Sequence, residues 1–151
     1  RKISLAVSKI ILGVQKFLSV GNLDAKRDWG YAPEYCEGMW RMLQQDKPDD
    51  YVLATGETRT VREFVDLTFK QVNIKLNWEG KGIDEKGIDS ASDKVLVQVN
   101  PAYFRLTEVD LLIGDPTKAK EILGWESQTK LEELVKVMVK SDWEKIKRRG
   151  Y

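Results

Sequence analysis

The 151-residue chain contains no histidine and a single cysteine, Cys36. Without histidine no histidine-based catalytic triad can form, and most zinc sites become hard to build. One cysteine excludes an internal disulfide framework and fits a reducing compartment. An excess of charge of one sign is lacking as well: 25 basic side chains nearly cancel 24 acidic ones, leaving a net charge of +1. That balance gives no footing for a nucleic-acid or membrane surface. No apolar run approaches the ~18 residues of a membrane span. No secretory signal, low-complexity tract or internal repeat stands out. What is present, 42% hydrophobic and 32% charged residues, suffices for one domain of ordinary size with a real core. The expectation is a soluble, cytoplasmic α/β or α+β domain.

The chain opens on Arg1-Lys2 with no initiator methionine, which reads as an interior position of a longer gene product. Ile3, Val7, Ile10 and Ile11 recur at helical spacing, with Gly13 as a stop. Phe17 to Val20 reads as a short strand, and Gly21 to Gly30 as a loop with charges at its far end. A helix is predicted from about Pro33 to Gln45, with Tyr35, Met39, Met42 and Leu43 as its apolar stripe. Cys36, among apolar neighbours on that helix, is expected to be a buried, inert thiol. Tyr51-Val52-Leu53-Ala54-Thr55 has the look of a buried strand. Thr60 and Glu63 form a capping box ahead of an inward face at Val61, Phe64, Val65, Thr68 and Val72. Residues 79–93 are a polar excursion, either a surface hairpin or a mobile loop, before an alternating strand at Lys94 to Val99. Asp115-Pro116 opens a short helix that Gly124 closes. A second capping box at Thr129 and Glu132 precedes a last helix with its stripe on Leu131, Leu134, Val135, Met138, Val139 and Ile146.

Several ordered blocks carry a resemblance. Gly21-Asn22-Leu23-Asp24-Ala25-Lys26-Arg27-Asp28-Trp29-Gly30 is followed by Ala54-Thr55-Gly56-Glu57 and Val61-Arg62-Glu63-Phe64. Trp78-Glu79-Gly80-Lys81-Gly82, Tyr103 to Asp110, Gly114 to Lys120 and Leu123-Gly124-Trp125 come next. Each block alone is weak, but the ordered set resembles the GDP-mannose 4,6-dehydratase family of extended short-chain dehydrogenase/reductases. The resemblance implies an α/β fold over residues 1–151: the carboxyl-terminal, substrate-binding part of an NAD(P)-binding Rossmann-like enzyme, with the Rossmann core missing. Consistent with that, the chain has neither a Gly-x-x-Gly-x-x-Gly phosphate loop nor a Tyr-x-x-x-Lys pair. The family reaction oxidises the sugar at C4 through NADP, loses water across C5–C6 and returns the hydride to C6. This chain is therefore expected to supply GDP-mannose binding but no catalytic residue, and to hold no NADP by itself. Homo-oligomers are expected, with strand 51–55 at an uncovered sheet edge.

By motif match, Arg27 and Arg105 resemble the family's diphosphate and ribose contacts, because guanidinium groups meet phosphate oxygens bidentately. Glu108 resembles the carboxylate that reads a ribose hydroxyl, and Lys2 a lysine near the guanine and phosphates. The two arginines are expected to converge on one cleft with Glu108 at its rim. The plainer alternatives are an Arg27–Asp28 ion pair in the loop and a local Arg105–Glu108 pair. The chain departs from the family pattern at Tyr31, where His is usual, at Glu34 for Asp, and at Leu106 for Pro. Leu106 leaves the aim of Arg105 less restrained. The five tryptophans read as core or interface side chains. A different class of reading stays open, a stand-alone, non-catalytic nucleotide-sugar binding or interaction module.

Overall fold

A computed structural model describes residues 1–105, 107 and 112–149. In chain order the elements are α1 (Lys2–Ile11), β1 (Leu18–Val20), β2 (Lys26–Arg27), α2 (Ala32–Leu43), β3 (Arg59–Thr60) and α3 (Val61–Lys70). They continue with β4 (Leu76–Glu79), a 3-10 turn (Gly82–Asp84), β5 (Lys86–Asp89), β6 (Val95–Val99), α4 (Thr117–Leu123) and α5 (Leu131–Arg149). Four strands form one mixed sheet in the order β1-β6-β5-β4, and β2 pairs with β3 in a separate two-stranded ribbon. β1 runs parallel to β6, whereas β6, β5 and β4 alternate in direction. The polar excursion at 79–93 is thus a hairpin built on β4 and β5.

The main core joins this sheet to α1, α3 and α5. Val7, Leu18, Val65, Phe69, Val97 and Val135 are completely buried in it. Local chemistry explains the helix starts. Thr60 accepts the Glu63 amide at 3.1 Å while Glu63 accepts the Thr60 amide at 2.7 Å, the expected reciprocal box. At α4, Asp115 accepts the Thr117 amide at 3.0 Å, and Gly124 closes the helix in the left-handed region at φ 61. Packing between α1 and α5 is polar at one point: the Ser4 hydroxyl donates to the buried Asp142 carboxylate at 2.8 Å.

Three expectations fail here. Tyr51–Thr55 pairs with no strand among the described residues; Leu53 and Tyr51 instead pack on a second, smaller cluster around Ala119, Leu123 and Trp125. An apolar run reports burial, but a strand also needs a neighbour that offers its backbone. Cys36 is exposed, because the side of α2 that packs inward carries Tyr35, Gly38 and Met42. Thr129 gives its amide and hydroxyl to the Glu34 carboxylate of α2, so α5 is anchored from another helix and not from Glu132.

Candidate nucleotide site

The parallel pair sets the geometry. Val20 lies opposite Val99, so both strands end at the same edge of the sheet, and the Asn100 amide donates to the Val20 carbonyl at 2.9 Å. Two polar loops leave from that edge: 21–30 after β1, carrying Arg27, and 100–105 after β6, carrying Arg105. The carboxyl ends of parallel strands are where α/β sheets offer ligands unobstructed loops.

These loops are joined by a side chain that the sequence reading did not single out. Asn22 accepts the Arg105 amide at 2.8 Å and donates to the Arg105 carbonyl at 2.8 Å. Gly21 permits the approach, since a Cβ there would collide with the Tyr103 carbonyl oxygen. The 100–105 loop is stiffened internally as well, with the Ala102 amide donating to the Asn100 side chain at 2.9 Å. From the other side, the Lys2 ammonium lies 3.8 Å over the Tyr103 ring centroid. A cavity of about 220 Å³ opens beside that pair, lined also by Leu5, Ala6, Gln15, Phe17 and Ser19.

The four predicted residues are placed as follows. Lys2 sits in the first turn of α1, against the loop that carries Arg105. The Arg105 guanidinium is exposed and has no ion pair among the described residues. Arg27 lies on β2, half-buried, opposite Arg59, and its Nη1 donates to the Lys26 carbonyl at 2.7 Å. Glu108 lies outside the described residues. Lys2 and the Arg105 segment are therefore brought together through Tyr103, and the Arg27 loop is tied to the same segment through Asn22.

Asp28 acts on its own loop partner. Its carboxylate accepts the Thr55 hydroxyl at 2.8 Å and the amides of Thr55 and Gly56 at about 3 Å. It thereby holds the Thr55-Gly56 turn that leads into β3, the partner strand of β2. Nearby, Arg62 bridges Asp24 at 2.8 Å and Glu85, and stacks on Trp78. Both arrangements fix the backbone around Arg27 and Asn22. No single-sequence pattern announces Asp28 or Asn22, although both sit inside the Gly21–Gly30 block.

Among the described residues, no glycine-turned helix start follows a parallel strand, the feature a dinucleotide cradle needs. Both parallel strands lead into polar loops. Among the described residues no acidic or cysteine cluster is placed to hold a metal ion. None of their helices is long and apolar enough to cross a membrane.

Solved structures define the class. RMD from Pseudomonas aeruginosa, complexed with NADPH, superposes with a TM-score of 0.71 at 17% identity, over 96% of this chain and 43% of that one. The dTDP-glucose 4,6-dehydratase of Bacillus anthracis, in complex with NAD, gives 0.69 at 17% identity, over 98% and 40%. The fold is that of an extended short-chain dehydrogenase/reductase, in the portion these alignments cover. Sequence is more specific: the family pattern of GDP-mannose 4,6 dehydratase matches residues 1–138. GDP-mannose 4,6-dehydratase of Sinorhizobium fredii is 54% identical over 142 residues, 94% of this chain and 40% of its own. The human GDP-mannose 4,6 dehydratase is 51% identical over 144 residues, 95% and 39%. The chain belongs to the GDP-mannose 4,6-dehydratase family, and it spans about 40% of the length of the curated relatives it matches.

Proposed function

We propose that this chain is the nucleotide-sugar lobe of a GDP-mannose 4,6-dehydratase, which converts GDP-mannose to GDP-4-keto-6-deoxymannose. The observation that carries the reading is the pair of loops at the carboxyl ends of β1 and β6, bolted together by Asn22, with Lys2 seated on the Arg105 loop and the Arg105 guanidinium exposed. A nucleoside diphosphate matches this chemistry. Arg27 and Arg105 take its phosphates, Glu108 a ribose hydroxyl, and Lys2 the side nearest the base. The cavity beside Lys2 and Tyr103 has room for a planar ring, with Gln15 and Ser19 as polar partners. The hydride chemistry at C4 and C6 belongs to NADP, for which the described residues offer no glycine-turned helix start. Its own residues bind and orient the nucleotide and contribute no catalytic group. As part of the same reading, the protein is cytoplasmic, and copies of it associate.

Each charged hydrogen bond to phosphate contributes ~1.5–3 kcal/mol where water is excluded. This lobe supplies one wall of a cleft, so its affinity alone is weak, about 1 mM. Calorimetric titration of GDP into the chain tests the reading. Arg27→Ala and Arg105→Ala should each lower affinity by about tenfold, a single charge-assisted contact. Measurable binding that neither substitution weakens would remove the site.

A further inference from the structure

We propose that Asn22 is the positioning residue for Arg105: it sets the direction of the guanidinium without touching the ligand itself. This rests on the reading of Arg105 as a phosphate contact. Both polar groups of the Arg105 backbone are occupied by one side chain, each at 2.8 Å, across 83 residues of sequence. That is the pattern of a strand neighbour, supplied by an amide. It fixes the backbone of Arg105 and engages none of the guanidinium, which is exposed. Residue 106 is leucine, so no proline ring narrows the backbone of Arg105 from the following position. The restraint therefore comes from across the sheet edge. Gly21, which accommodates the Tyr103 carbonyl, and Lys2, seated on the Tyr103 ring, hold the same loop two residues earlier. An exposed arginine on an otherwise loose loop would lose much of its binding energy to ordering. Pre-fixing its backbone removes that cost, and it links the loop of Arg105 to the loop of Arg27, five residues beyond Asn22.

The test is a double-substitution cycle read by GDP titration. In the wild-type background, Asn22→Ala should weaken GDP binding about fivefold, the scale of one lost restraint on a charged contact. In the Arg105→Ala background the same change should alter affinity by less than about twofold, because the Arg105 backbone no longer carries a guanidinium to aim. Asn22→Asp is nearly isosteric and keeps the acceptor while losing the donor; it should fall between the two and covers the case in which the alanine variant fails to fold. An equal loss in both backgrounds would mean that Asn22 only supports the fold, and overturns the proposal. So would an unaffected affinity in both Asn22 variants while Arg105→Ala is weak. If GDP binding is insensitive to Arg105→Ala, the site reading itself falls, and the role of Asn22 falls with it.

Discussion

The two clusters of this molecule are built from similar sequence patterns and end in different states. Helices α1, α3 and α5 close a core on the sheet with their apolar faces turned inward, and Phe64, Val65, Phe69 and Val135 are at most 2% exposed. Helix α2 is apolar on two sides. Tyr35, Gly38 and Met42 face the small cluster at Trp125, while Met39 (56%), Trp40 (60%) and Leu43 (83%) stand in solvent beside Cys36. Positions 36, 39, 40 and 43 follow helical spacing, so the outer stripe is as regular as a core face. Val52, in the segment packed next to α2, is also about half exposed. Of the two apolar sides of α2, only the one at Tyr35, Gly38 and Met42 is packed among the described residues. The sheet cluster buries the apolar faces of its helices, whereas α2 leaves one of its two apolar sides exposed.

Unfolding measurements should break that symmetry of pattern most sharply. Phe64→Ala removes a ring that is 2% exposed and packed at a tilt with its centroid 4.6 Å from that of Trp29, and should cost about 3–5 kcal/mol in urea unfolding. Leu43→Ala, on a residue of similar hydrophobicity, should stay within about 0.5 kcal/mol. Equal losses at the two positions would mean that the clusters do not differ as described.

The next largest effect concerns what holds α2 in place. Its carboxylate Glu34 accepts the hydroxyls of Ser127 and Thr129 and the amides of Gln128 and Thr129, at 2.5–3.3 Å. The Trp125 indole donates to the Glu34 carbonyl at 2.7 Å, and Arg41 donates to the carbonyls of Leu123 and Gly124. Burial pushes the Glu34 carboxyl up, but those four donors outweigh it and hold the group below its ordinary value of 4.5. A depressed folded value means stability that is present above the unfolded value and lost as pH falls through the folded one. Glu34→Ala should cost about 2–3 kcal/mol at neutral pH, less than the core deletion. Acid should therefore loosen the wild type below about pH 4.5, first at α2 and 127–129 by hydrogen exchange, and Glu34→Gln should flatten that dependence. An acid profile unchanged by Glu34→Gln would show that other carboxylates dominate.

The same contrast explains what was legible in the sequence. Features decided within a few residues could be read from it: the helical spacing of Ile3, Val7 and Ile10, the Thr60–Glu63 box, the alternating β6 and the Gly124 stop. Features decided by long-range partners could not. The periodicity of α2 was apparent, but not which of its two apolar sides faces inward, since that depends on Trp125, some 90 residues later. Tyr51–Thr55 has strand-like residues, yet pairing is a property of a neighbour. The site divides likewise. Lys2, Arg27, Arg105 and Glu108 are proposals drawn from motifs, while the contacts of Asn22 and Asp28 emerged only when loops far apart in sequence met. A short polar side chain looks the same in a list whether it faces water or bolts two loops together.

The smallest effect sharpens the comparison at the outer stripe of α2. Because Cys36 is exposed, Cys36→Ser should change unfolding stability by no more than about 0.5 kcal/mol. The thiol should react with an aromatic disulfide reagent in the native state, at a rate near that of the urea-unfolded chain. Its value is as a reporter, since it lies one turn from Met39 and Trp40 on the same side of the helix. If copies of this chain cover the stripe, light scattering should show association, and the Cys36 rate should fall together with the monomer fraction as concentration rises. Leu43→Lys, which charges the most exposed member of the stripe, should restore both the monomer and the fast rate. Association with an undiminished Cys36 rate would move the contact elsewhere on the surface. A strict monomer at every concentration would mean that no second copy covers the stripe.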